Sequence, residues 1–198
     1  MTPVIEFKYS DVYDKHWLEY FKLLKLDSNY PSKQDIFGRI EEAETYWKNN
    51  GAKILESISK QSGLEWKSEK IIVYLVGKAV PFSSPLTMSV WLNKMQDKTL
   101  RSWINVLTHE IIHNILVDNS WGKMMNLKNY LESLGDIAKK TYVHIPVHAI
   151  HSLVYKDVFT DEDFLADIEN TKNIDKDYFD AWSVVLEKGD KNIVEMFN

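Results

Sequence analysis

The sequence predicts an α+β domain, rich in helix and carrying a small sheet. Three observations lead there. Apolar and polar side chains alternate in short segments near residues 4–9 and 86–92, and a β-branched, aromatic run covers 70–76, whereas spacings of three and four residues mark most of the remainder. The elements run strand, helices, a strand pair and then helices to the end, unlike the steady alternation that builds a parallel α/β sheet. Finally, 198 residues with 44% hydrophobic content suffice for one core, and no Pro/Gly/Ser-rich linker, repeat or low-complexity tract divides them. Residues 1–198 therefore read as a single domain.

Val4–Tyr9 sets Ile5, Phe7 and Tyr9 against Glu6, Lys8 and Ser10, the period of a strand. Asp14–Leu24 places Trp17, Tyr20, Phe21 and Leu24 at helical spacing. Ser32 opens a helix through Ile36, Ile40, Ala43 and Trp47, and Asn49-Asn50-Gly51 is expected to interrupt it before Ile54, Leu55 and Ile58 resume. Lys70–Val76, β-branched and aromatic, reads as a buried strand. Leu86–Leu92 alternates Leu86, Met88, Val90 and Leu92 with Thr87, Ser89 and Trp91, a half-buried strand expected at a sheet edge.

The next helix carries Leu100, Ile104, Leu107, Ile111 and Ile115 on one stripe, with Thr99 or Asp97 to cap its start and 119–122 to end it. Leu127, Tyr130, Leu131 and Leu134 suggest another helix. Pro146 is expected to start the one after, because proline suits a first helical turn and pushes its predecessor out of the helical region. That helix would reach Phe159. Thr160-x-x-Asp163 looks like the cap of the following helix, and Tyr178–Leu186 forms the last.

Within the helix after the strand pair stands His109-Glu110-Ile111-Ile112-His113. Histidines at i and i+4 project from one side of a helix, one turn apart, and can grip a single metal ion; a glutamate between them can take a proton from a water on that ion. The pair sits about half a turn from the apolar stripe, beside Ser102, Val106 and Leu116, on a face that can line a cleft. Of the six histidines, five fall between 109 and 151. Scattered structural histidines would not gather in this way.

A strand pair leading into a helix with His-Glu-x-x-His resembles the zincin metallopeptidases, and the resemblance covers about Ile71 to Phe159. It implies a zincin-like fold and one Zn2+ per chain, with His109 and His113 as ligands and Glu110 as the general base. It also implies that Leu86–Leu92 aligns an extended peptide or protein substrate. A catalytic zinc site takes three protein ligands and leaves one position for water. The metzincin branch would require glycine at 116 and histidine at 119, where this chain has Leu116 and Asn119. The gluzincin branch would use Glu132, within Glu132-Ser-Leu-Gly-Asp136.

The other source of a third ligand is Tyr142–His151, where His148, His151 and Tyr155 form one helical stripe. His148 is the first choice, at the expected helix start after Pro146. His144 or His151 would then act around the ligands or donate to the transition state, as Tyr155 could. A second function class stays open: a zincin-derived module that keeps the metal but acts by binding a partner. A fourth protein ligand closing the site would favour it.

Other chemistries fit less well. A di-iron bundle needs two Glu-x-x-His copies, and Glu110-x-x-His113 is alone; a deformylase-like site takes a cysteine, and the chain has none. Serine-hydrolase and phosphate-loop signatures are absent. The net charge of −5 without a basic cluster argues against nucleic acid or an anionic membrane as partner. No segment has the apolar length of a membrane span or the form of a signal peptide. Together with the lack of cysteine, this gives a cytoplasmic protein as the expectation.

Overall fold

The computed structural model describes residues 2–90 and 99–197, with residues 173 and 174 described by their backbone alone. It is 68% helical with a small mixed sheet of four strands, an α+β arrangement. The chain divides into two compact units. One comprises 2–52 and 68–111; the other comprises 53–67 and 112 onward.

The first unit holds the sheet. Its strands are β1 (Val4–Tyr9), β2 (Lys70–Val76), β3 (Phe82–Ser83) and β4 (Leu86–Ser89), in the order β1-β2-β4-β3. β1 runs parallel to β2, with Val4 opposite Lys70 and Tyr9 opposite Leu75; β4 is also parallel to β2, and β3 is antiparallel to β4. A parallel β1–β2 pair needs a crossover, which α1 (Asp11–Leu23) and the long helix α2 (Lys33–Ser62) provide. α1 begins three residues earlier than its apolar spacing suggests, because the Ser10 hydroxyl caps it by accepting from the Tyr13 amide.

β4 departs from expectation. It is flanked on both sides, and all four of its residues are buried. Its polar members are satisfied internally: the Thr87 hydroxyl donates to the Pro85 carbonyl at 2.8 Å, and that of Ser89 donates to the Gly77 carbonyl at 3.1 Å. The two-residue β3 occupies the far side of β4 at Leu86 and Thr87. That stretch cannot receive an added substrate strand. Trp91 and Leu92, the end of the expected strand, lie outside the described residues.

α2 runs without a break through Asn49-Asn50-Gly51. The Asn49 and Asn50 amides donate back to the Thr45 and Tyr46 carbonyls, one turn earlier. A Cβ on Gly51 would lie 2.4 Å from Nε1 of the Trp47 indole. The glycine is there for the close approach of a ring, and it does not end the helix.

The last helix to begin in this unit is α3 (Leu100–Asp118), which continues unbroken into the second. The Thr99 hydroxyl caps it through the Ser102 amide at 3.2 Å. Trp103 fixes its first turns: its indole N–H donates to the Ser89 carbonyl at 2.8 Å, and its ring packs on Phe7, which also meets Trp47 edge-on. Ile104, Leu107, Ile111, Ile112, Ile115 and Leu116 are all buried, so α3 is enclosed around most of its circumference.

The second unit is helical: α4 (Met125–Ser133), α5 (Lys139–Val158), α6 (Asp161–Ile174), α7 (Lys176–Lys188) and α8 (Asp190–Val194), with short 3-10 turns at Trp121–Lys123 and Glu195–Phe197. The Thr160/Asp163 capping box opens α6 as the sequence predicts. α8 lies beyond the last helix expected; its first residue, Asp190, accepts from the Ser152 hydroxyl at 2.8 Å and pairs with Lys156.

The consequential correction is in α5. Pro146 does not start that helix but lies inside it, seven residues from its beginning. Interior proline removes one ladder bond and costs roughly 3 kcal/mol. Ile145, Val147, Ile150, Leu153 and Val154 are buried around it, each stabilising by about 1.5–3 kcal/mol, so packing outweighs the break. Among the described residues, no helix is long and apolar enough to cross a membrane.

Candidate metal centre

Because α3 is continuous through its motif, His109 and His113 lie one turn apart on the same side, as the sequence requires. They belong to its less enclosed stripe: Val106, His109, His113 and Asn114 are half-buried, and Val117 beyond them is exposed. The face is therefore narrower than the sequence suggests, for Ser102 and Leu116 are both buried. Glu110 is turned about 100° from His109 around the axis and is 7% exposed.

The early start of α5 decides the third imidazole. His144 now belongs to the helix, so His144, His148, His151 and Tyr155 form one continuous stripe at steps of four, three and four residues. The His144 ring meets the His113 ring edge-on with centroids 4.9 Å apart. One ligand atom from each of His109, His113 and His144 lies within 4.8 Å of the others, and this group can hold a metal ion.

The other sequence-stripe residues lie elsewhere. His148, the favoured third ligand from sequence, is one turn further along α5 and stacks on the Trp182 indole at 4.2 Å, only 14° from coplanar. It is not in the convergent group, because the helix start that was to bring it to the site falls at Lys139. His151 is buried and stacks on Tyr155 at 4.3 Å, and Tyr155 packs against Phe159 and Phe164. Glu132 is exposed on α4 and pairs with Lys128, four residues before it, at 3.7 Å.

The electrostatics suit cation binding. Burial holds the His113 imidazole down to about 3, with His144 beside it adding to the effect. Burial also takes His144 down to about 4, opposed by its hydrogen bond to the Lys140 carbonyl. Both rings are therefore neutral near pH 7, with lone pairs available to a metal. That hydrogen bond, 2.7 Å from Nδ1, settles the His144 tautomer: a carbonyl only accepts, so the proton is on Nδ1 and the lone pair on Nε2. Burial pushes the Glu110 carboxyl up to about 8, and a nearby cation would return it toward the carboxylate.

Two residues from α7 complete the surroundings. The Tyr178 ring lies 4.2 Å from that of His144, and Trp182, one turn on, covers His148. Lys140 ties this end of α5 to α7, pairing with Asp175 at 2.8 Å and passing over the Tyr178 ring at 5.4 Å. In sequence Tyr178 and Trp182 appear only as an i, i+4 aromatic pair on an amphipathic helix, which signals a packed face and nothing more specific. No protein-family model, curated protein or solved structure matches the chain.

Proposed function

We propose that this protein is a zinc-dependent metallohydrolase whose reaction is hydrolysis of a peptide bond. One observation carries the reading: three imidazoles converge within 4.8 Å, and a buried glutamate lies between two of them in sequence. Imidazole donors suit zinc, and three protein ligands with one water are the ordinary set for a catalytic zinc site. When bound, zinc supplies Lewis acidity, acidifying a water and polarising the scissile carbonyl.

The chain's own residues do the rest. His109, His113 and His144 hold the ion. Glu110 accepts the proton of the attacking water as a carboxylate and afterwards gives it to the leaving amine. Its enclosure favours both halves of that cycle, since a desolvated carboxyl gives and takes a proton nearer neutrality than an exposed one. The substrate class, peptide or protein, comes from the resemblance to zincin metallopeptidases. β4 does not support the strand-aligning role that the resemblance implied, because β3 already pairs with part of it.

The experiment is a pair of measurements on Glu110→Gln. It should retain about one zinc per chain by elemental analysis and lose cleavage of a fluorogenic peptide mixture by several orders of magnitude, since an amide cannot accept the proton. Near-normal cleavage by the variant would refute the peptidase mechanism. Protein that binds no zinc when prepared without chelator would refute the metal.

A further inference from the structure

Asn105 lies on α3 four residues before His109, and so on the same side of the helix one turn earlier. Its side chain is 7% exposed, and Oδ1 is buried and accepts no hydrogen bond. Buried acceptors are nearly always satisfied, so an orphan such as this calls for a partner that arrives under other conditions. A histidine that ligates a metal through one ring nitrogen carries a proton on the other, and that N–H needs an acceptor to hold the ring in register.

His144 already has its acceptor. Nδ1 donates to the carbonyl of Lys140, four residues back on α5, at 2.7 Å. Asn105 stands to His109 in the same i−4 relation, and side chains so spaced on a helix have Cβ atoms about 5–6 Å apart. We propose that Asn105 is a positioning residue for His109: with metal held, its Oδ1 accepts the His109 ring N–H and fixes that imidazole's tautomer and rotamer. The proposal rests on the metallohydrolase reading. A neutral amide at this place anchors the ring without adding a buried negative charge to the helix that carries Glu110.

A core-packing role for Asn105 makes a different forecast, and the two can be separated with zinc alone as the probe. Zinc dissociation constants would be measured by chelator competition for the unmodified protein, Asn105→Leu and Asn105→Asp, beside thermal melts of each after chelation. Asn105→Leu should bind zinc about 10–100-fold more weakly, with the metal-free melting temperature unchanged or raised because an orphan acceptor is gone. Asn105→Asp, which keeps an acceptor, should bind at least as tightly as the unmodified protein.

Unchanged zinc affinity in Asn105→Leu, or a weakened affinity matched by a lowered metal-free melting temperature, overturns the proposal and leaves the metal site standing. Unmodified protein that takes up no zinc overturns both. Should Asn105→Leu not fold, ring-nitrogen NMR of the unmodified zinc form decides. A slowly exchanging His109 ring N–H that is lost in Asn105→Ser supports the role, and a rapidly exchanging one overturns it.

Discussion

Acid should unfold the metal-free protein between pH 6.5 and 4.5, well above the range in which ordinary carboxylates protonate. Four imidazoles set this. Burial takes His113 and His151 down to about 3, His144 to about 4 and His148 well below its usual value, whereas unfolded histidine titrates near 6.5. Through this window the unfolded chain binds those protons and the native protein does not, so stability falls as pH falls. Two groups oppose it. Burial raises Glu110 to about 8 and Asp167 to about 7, so the native state keeps two protons that the unfolded chain has given up.

Four taken up against two released leaves a net uptake of about two protons, or roughly 3 kcal/mol per pH unit. Across the window this reaches about 5 kcal/mol, the low end of a typical domain's whole stability. Above pH 6.5 the sign reverses, because the unfolded histidines are then neutral too. Of the six groups above, Glu110 and Asp167 remain unequal, and their stabilisation is lost as pH rises through about 7 and 8. Stability should therefore peak between about pH 6 and 7. Urea midpoints followed by tryptophan fluorescence at half-unit steps, after chelation, measure the curve. His151→Phe keeps a ring against Tyr155 and removes one titrating group, so the acid-side slope should fall to about half. A flat profile below pH 6.5, or a slope unaltered by His151→Phe, would refute the reasoning.

Two further outcomes follow from the geometry. His144→Ala should weaken zinc binding sharply in a chelator competition while His148→Ala lowers the melting temperature with a smaller effect on affinity, and Glu132→Ala should alter neither; equal affinity loss at His148 would return it to the ligand set. Gly51→Ala, which in an exposed helix interior would stabilise by about 1 kcal/mol, should instead destabilise by about 1–3 kcal/mol because the new Cβ meets the Trp47 indole; equilibrium unfolding reads the sign directly.

Much of the fold and part of the candidate site are legible in the sequence, and particular residues show why. The i, i+4 spacing of His109 and His113 with Glu110 between them is a local property of any helix through Leu100–Asp118, and the apolar stripe on that helix guarantees that it forms. The strands Val4–Tyr9 and Lys70–Val76 and the Thr160/Asp163 cap are local in the same sense. Where local rules failed, tertiary packing had overridden them. Asn49-Asn50-Gly51 reads as a break until the Trp47 ring is seen lying where a Cβ would be, and Pro146 reads as a start until the buried residues on both sides of it are counted.

The sequence by itself determined that one helix offers two imidazoles and a carboxylate with the spacing of a metal site, because periodicity within a helix is fixed by backbone geometry alone. Only the tertiary structure decided that His144 joins them while His148 and His151 stack on Trp182 and Tyr155. Those three histidines of α5 present equivalent donors along one stripe, and nothing local distinguishes them. The distinction lies in where α5 meets α3 and α7, which is set by long-range burial that no short window of sequence contains.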